Sequence, residues 1–213
     1  MVINLELVNL ECEREDRILF TGLSQRLSGG DVVQIEGPNG SGKTTLLRVL
    51  TTLSNDYSGE IHWCGQPLQR VKYDYLQQLL YIGHLPGVKK NLSPLENLRW
   101  YASVRGGQAQ STLETALAAV GLLGFEDVPC FQLSAGQQRR AALARLYLNP
   151  PPLWILDEPF TAIDKRGVSA LEDLISQHAE RGGLTVLTTH QDMKLANLVR
   201  VNLTQYRPGA RHE

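Results

Sequence analysis

The stretch GPNGSGKT (37–44) constrains the fold most. It fits G-x-x-x-x-G-K-[ST] and stands between a short apolar run ending in glycine, DVVQIEG (31–37), and the helically spaced KTTLLRVLTTL. That order, buried strand, glycine loop, helix, is the setting in which such a loop binds phosphate. The glycines let consecutive amides turn inward to face phosphate oxygens, and the helix N-terminus adds its partial positive charge. Gly37, Pro38, Asn39, Gly40, Ser41, Gly42, Lys43, Thr44 and Thr45 are therefore the expected nucleotide-binding residues. Lys43 would reach the β and γ phosphates, and the Thr44 hydroxyl would bind Mg²⁺.

Two further strand ends carry candidate chemistry. LWILDE (153–158) follows the helix-breaking NPPP and delivers two carboxylates at its C-terminal edge, where α/β folds place ligands. Asp157 is expected to hold the Mg²⁺ shell, and Glu158 to orient or deprotonate an attacking water. LTTH (187–190) ends another such strand in a histidine, so that His190 becomes a candidate γ-phosphate contact. His62, His84, His178 and His212 lack this setting.

The rest of the chain places these motifs. INLELVNL alternates like a strand, GEIHWCG (59–65) and QLLYIGH (78–84) add two more, and LTVLTTH and RVNLTQY read as the last. Between them SPLENLRWYASV, STLETALAAVGLL and GQQRRAALARLYL carry helical spacing with no strand interrupting. VSALEDLISQHAE is amphipathic. Strands, a helical insertion and a return to strands argue for an α/β core with a helical lobe.

Composition removes several classes. Lysine plus arginine (21) balances aspartate plus glutamate (22), so no overall basic field holds a phosphate backbone, and nucleic acid is not an expected partner. Cys12, Cys64 and Cys130 lie far apart with no CxxC spacing and read as reduced thiols. MVINLELVNLECERED has no basic region followed by an apolar run, and no stretch is apolar enough to span a bilayer. A cytoplasmic protein is expected, reaching any membrane through another chain.

LSAGQQRR (133–140) has neither a nucleophile–base pair nor a metal-ligand set. It opens a helical segment with Ser134 at the N-cap position by residue type, a second anion-binding helix start. One chain binds one nucleotide through its own glycine loop, so a second cradle makes sense if it closes over the nucleotide of another subunit.

GPNGSGKT, LSAGQQRR, LWILDEP, TAID and LTTH together resemble the ATP-binding cassette (ABC) family, in order and at its spacing over nearly the whole chain. The resemblance implies a P-loop NTPase of the ABC type, an α/β fold with a mixed sheet core flanked by helices and an inserted helical subdomain. It implies ATP and Mg²⁺ as cofactors and a second copy of the chain in a head-to-tail dimer around the nucleotide. Carried over, Ser134, Gly136 and Gln137 would contact the partner's nucleotide, and Asp164 of TAID would sit in the loop crossing the dimer. Glu158 becomes the catalytic base, His190 the switch histidine and Lys43 the third catalytic group.

Two positions depart from that pattern. His84 in YIGHLPG replaces the usual glutamine near the metal and its water, and Arg14 replaces the aromatic that stacks on adenine. A guanidinium can also stack on a base. With these departures, ECEREDRILF, IGHLPGVKKNLSPLENL and GFEDVPCFQLSAGQQRR resemble the ATP-binding subunits of cytochrome c maturation export systems. That narrower resemblance implies a peripheral ATPase on the cytoplasmic face of the bacterial inner membrane, with integral-membrane permease subunits as partners.

The expected organisation is one ABC ATPase domain over 1–213. Residues 1–84 and 150–205 form the catalytic core, 85–149 the helical subdomain carrying LSAGQ, and 206–213 a flexible tail. The expected function is a transport ATPase in c-type cytochrome biogenesis. The alternatives are a soluble cassette acting on nucleic acid or ribosomes, a motor for another cargo, or a non-hydrolysing scaffold.

Overall fold

The structure, a computed structural model, describes residues 3–208 except 16, 194 and 196. In chain order, β1 (Asn4–Arg14), β2 (Arg17–Ser28) and β3 (Val32–Glu36) precede α1 (Lys43–Leu50). Then come β4 (Tyr57–Trp63), β5 (Gln66–Pro67), α2 (Lys72–Gln77) and β6 (Leu79–Ile82). Three helices follow, α3 (Pro94–Ser103), α4 (Gln110–Ala119) and α5 (Ala135–Leu143). β7 (Leu153–Asp157), α6 (Lys165–Glu180), β8 (Leu184–Thr188) and β9 (Leu198–Asn202) complete the order.

The strands form two sheets. One runs β2-β1-β4-β5 with antiparallel pairs; the other runs β6-β7-β8-β3-β9, with β7–β8, β8–β3 and β3–β9 parallel. Every residue of β7 and β8 is buried, the signature of parallel strands covered on both faces. The described residues divide into two compact units. The first holds both sheets, through residue 81, with 151–158 and the chain from 172; the second holds 82–150 and 159–171.

In the first unit, Leu46, Leu47, Val49 and Leu50 of α1 join Val33, Ile35, Ile155 and Val186 in one core, each side chain contributing about 1.5–3 kcal/mol by burial. The phosphate-loop helix is thereby anchored to the strands that carry the carboxylates. Its C-terminal end is held by an element the sequence patterning does not reveal. Tyr75 of α2, fully buried, donates its hydroxyl to the Leu50 carbonyl at 2.6 Å, and burial raises its pKa. Burial also pushes the Cys12 thiol up to about 12, which keeps it unreactive.

β2 is another element not anticipated from sequence. Its pairing with β1 is interrupted by register shifts, one of them between Leu7 and Leu10, where Asn9 adopts a left-handed φ of 50°. The bulge carries the Asn9 carbonyl against Gly59 so closely that a Cβ there would meet it at 2.5 Å.

The second unit has its own core, in which Leu95, Leu98, Leu113, Leu117, Ala141 and Leu148 pack together. α3 starts in a capping box between Ser93 and Glu96. The nearly buried Asn97 side chain ties residues 89–93 to that helix, accepting from Lys89 N at 2.8 Å and donating to the carbonyls of Lys89, Leu92 and Ser93. The expected helix through GQQRRAALARLYL stops at Leu143, and Ala144–Tyr147 tightens into a 3-10 turn before the prolines.

At the other end of the chain, the first residue of the tail expected over 206–213 lies within a 3-10 turn. Tyr206 closes the 3-10 turn Leu203–Tyr206, and its hydroxyl accepts a bond from Gln25 at 3.1 Å. Residues 209–213, with His212, lie outside the described residues.

His178 of α6 stacks on Trp154 with ring centroids 3.7 Å apart, and its Nε2 lies 3.0 Å from the Pro152 carbonyl. Burial lowers its pKa from 6.5 to about 4, so the folded ring is neutral where the unfolded one is charged. The unfolded chain therefore binds more protons between these values, and the contribution of His178 to stability is complete above about 6.5 and lost as pH falls toward 4. Urea unfolding of the parent and His178→Gln at pH 7 and 4.5 tests this: the parent loses more stability on acidification than the variant, whereas equal losses would remove His178 from the account.

Candidate nucleotide site

Strand register assembles the site. Ile35 of β3 lies opposite Thr188 of β8, and Thr188 opposite Asp157 of β7. At about 4.8 Å between strands, the three ends lie within roughly 10 Å of one another. The glycine loop leaves β3 one residue beyond Glu36, Glu158 follows Asp157 directly, and His190 stands two residues past β8.

The loop is shaped for an anion. Gly42 is the N-cap of α1 with φ 100° and makes no side-chain cap bond, so no side chain of the cap occupies the first helical amides. A Cβ on Gly37 would come within 2.5 Å of Ser41 Oγ, and one on Gly42 within 3.0 Å of the Phe20 ring. Ser41 is buried, and its hydroxyl has no hydrogen-bond partner among the described residues, a polar group suited to an incoming phosphate. Lys43 folds over the loop, donating to the Gly37 carbonyl at 2.6 Å and approaching that of Pro38 at 3.4 Å. Thr44 is exposed and Thr45 half-buried.

The carboxylate edge is organised by Thr188, a residue no local motif marks. Thr188 Oγ1 donates its hydrogen to Asp157 Oδ1 at 2.7 Å and accepts from the Glu158 amide at 2.9 Å. The Thr188 hydroxyl thus fixes both acids at once. Its only sequence signal is a hydroxyl at the end of the buried LTVLT, in register with Asp157. Glu158 adopts φ 50°, a left-handed conformation costing a non-glycine residue about 1–3 kcal/mol. Its Oε1 lies 3.5 Å from His190 Nε2; the histidine side chain is 68% exposed and the glutamate 18%. A shielded carboxylate beside an open imidazole is a pair fit for moving a proton at a phosphate.

LSAGQ belongs to the second unit. Ser134 is the N-cap of α5; its Oγ accepts from Gln137 N at 3.2 Å, and Gln137 Oε1 accepts from Ser134 N at 2.9 Å. Gly136 passes so near the Ala162 carbonyl that a Cβ would meet it at 2.7 Å. Asp164 Oδ1 accepts from Gly167 N at 2.8 Å at the start of α6. The buried Arg139, unassigned from sequence, donates to the Gly83 carbonyl at 2.6 Å and so holds the segment that leads into His84.

Of the residues expected around a metal, Thr44 and Asp157 belong to the first unit and the exposed His84 to the second. Arg14 ends β1 in the first unit, exposed, 3.4 Å from Glu15. Among the described residues no helix is long and apolar enough to cross a membrane.

A glycine loop, paired strand-end carboxylates and a histidine at one parallel edge define a P-loop nucleotide-binding protein. Residues 20–161 match the family model described as ABC transporter. The chain is 57% identical over 205 residues to the cytochrome c biogenesis ATP-binding export protein CcmA of Shigella flexneri, covering 95% of this chain and 98% of that protein. Among solved structures, a putative ABC transporter ATP-binding protein from Pyrococcus furiosus is 26% identical with a TM-score of 0.82, covering 96% of this chain and all (100%) of that one. An ATP-binding cassette in a dimeric, post-hydrolysis state bound to ADP and Pi is 25% identical with a TM-score of 0.76, covering 88% of each chain. The chain belongs to the ABC transporter family and, within it, to the cytochrome c biogenesis ATP-binding export proteins. It is an ATP-binding, ATP-hydrolysing subunit of a transport system.

Replacing Thr188 by Val removes the hydroxyl that Asp157 Oδ1 and the Glu158 amide share, while the amide keeps the residue-188 carbonyl at 3.2 Å, at a cost of about 1–3 kcal/mol. Thr188→Val is expected to lower ATP turnover about tenfold or more with a smaller change in nucleotide affinity. Turnover equal to the parent's, in a folded variant, would contradict the role given to Thr188.

Proposed function

We propose that this chain is the ATPase motor of an export system for c-type cytochrome biogenesis, working as a pair of chains on an integral-membrane partner. The observation that carries the chemistry is the Asp157–Thr188–Glu158 arrangement with His190 3.5 Å from Glu158. Kinship with the Shigella protein, which covers almost the whole chain, supports the cellular role.

In this reading the amides of 37–44 and Lys43 hold the β and γ phosphates. Lys43 exchanges the Gly37 carbonyl for phosphate oxygen, and Thr45 adds a contact at the first turn of α1. Glu158 accepts a hydrogen bond from the attacking water and takes its proton as the new oxygen–phosphorus bond forms and the β–γ bridge breaks, releasing ADP and phosphate. His190 steadies that carboxylate and meets the γ-phosphate from its exposed ring. The Thr44 hydroxyl and Asp157 carboxylate are hard oxygen donors of the kind Mg²⁺ takes. Bound there, the ion would neutralise charge on the β and γ oxygens. Arg14 would stack on the base.

A second copy supplies the remaining contacts. Ser134, Gly136 and Gln137, set by the capping box, would close over the partner's nucleotide, with Asp164 in the loop that crosses between chains. The ADP- and Pi-bound dimer among the structural relatives supports this arrangement. The second unit exposes Leu85, Trp100 and Val104 at 79%, 53% and 70%, apolar surface suited to the permease. Docking there would hold the ATPase at the cytoplasmic face of the inner membrane.

The cellular role is tested in a bacterium deleted for its own cytochrome c biogenesis ATP-binding export protein. Expression of this chain restores covalent c-type heme in membranes, and failure of a well-expressed chain to do so would contradict the assignment. For the chemistry, Glu158→Gln retains ATP binding, accumulates an ATP-dependent dimer by light scattering, and loses turnover by about a hundredfold or more. Unchanged turnover in that variant would exclude Glu158 as the base.

A further inference from the structure

The final arginine of LSAGQQRR has no part in the chemistry above. Arg140 is half-buried on α5, and its Nε is buried with no hydrogen-bond partner among the described residues. It lines a cavity of about 320 Å³ in the second unit, where the end of α4, α5 and the start of α6 meet. Leu143, Tyr147, Ile163 and Leu171 supply apolar walls, and Arg166 and Asp164 stand with Arg140 as the charged groups. Asp164 already commits Oδ1 to the Gly167 amide. Two guanidinium groups against one engaged carboxylate leave the cavity with a surplus of positive charge.

We propose that this cavity binds a small apolar molecule carrying one carboxylate, its chain against Leu143, Ile163 and Leu171 and its head on Arg140. The volume lies within the range of small-molecule sites, and mostly apolar walls with a few convergent polar groups are their usual make-up. An anion gives the buried Nε–H of Arg140 a charge-assisted acceptor, a stronger partner than a neutral oxygen. The cavity reaches Ile163 and Asp164, so an occupant bears on the loop that the proposed function places at the dimer crossing. That regulatory consequence rests on the proposed function; binding itself does not.

Calorimetric titration of the full chain with decanoate, without nucleotide, tests binding. The expected result is saturable binding, weakened about tenfold or more in Arg140→Gln and by the same order when decan-1-ol replaces decanoate. Ala170→Trp, at a cavity-lining position exposed on α6, blocks the space and abolishes binding while ATP binding persists. Absence of decanoate binding, equal binding of decan-1-ol, or parent-like binding by both folded variants overturns the site. If decanoate binds as expected but leaves ATP turnover unchanged, the link to the crossing loop is overturned and the binding site stands.

Discussion

Side chains alternate between faces along a strand, so a one-residue slip of β8 against β3 or β7 would turn Thr188 away from Asp157 and separate the glycine loop from the carboxylates. The parallel ladder of β7, β8 and β3 prevents this. Its strands are buried on both faces, so a slip would force both layers packed around Ile35, Ile155, Val186 and their neighbours to repack. Every functional group of the first unit is measured from that ladder. The core that stabilises the sheet and the geometry of the proposed phosphate site are one set of interactions.

From that edge, function emerges through a few polar contacts with two uses each. The Thr188 hydroxyl donates to one acid and accepts from the backbone of the next. Lys43 satisfies loop carbonyls and carries the charge that the proposed phosphate contact uses. Glu158 reaches His190 from a left-handed backbone position that only its surroundings can hold. In the second unit Ser134 and Gln137 satisfy each other across the start of α5, which presents LSAGQ in a fixed conformation with its hydroxyl exposed.

Much of this was legible in the sequence because the motifs are local. Strand, loop and helix around GPNGSGKT, the acids closing LWILDE, and Ser134 as a cap each depend on neighbours within a few residues. What escaped depends on distant partners. Thr188 has meaning only through its pairing with β7, Tyr75 through its bond to Leu50, and Arg139 through the Gly83 carbonyl, 56 residues away. β2 escaped because its alternation breaks between the buried Phe20 and Leu23, where Gly22 takes a φ of 73° and the register against β1 shifts between Leu10 and Cys12. The cavity beside Arg140 could not be read either, since it forms where three helices from separate stretches converge.

In the proposed assembly one chain supplies the phosphate loop and the acids while a second chain completes the site. A crystal structure with a non-hydrolysable ATP analogue and Mg²⁺ tests it most directly. The β and γ phosphates are expected about 3 Å from the loop amides and Lys43 Nζ, with Ser134 of a second copy on the γ-phosphate. A triphosphate bound away from residues 37–44, or enclosed there by a single chain that also hydrolyses ATP as a monomer, would contradict it.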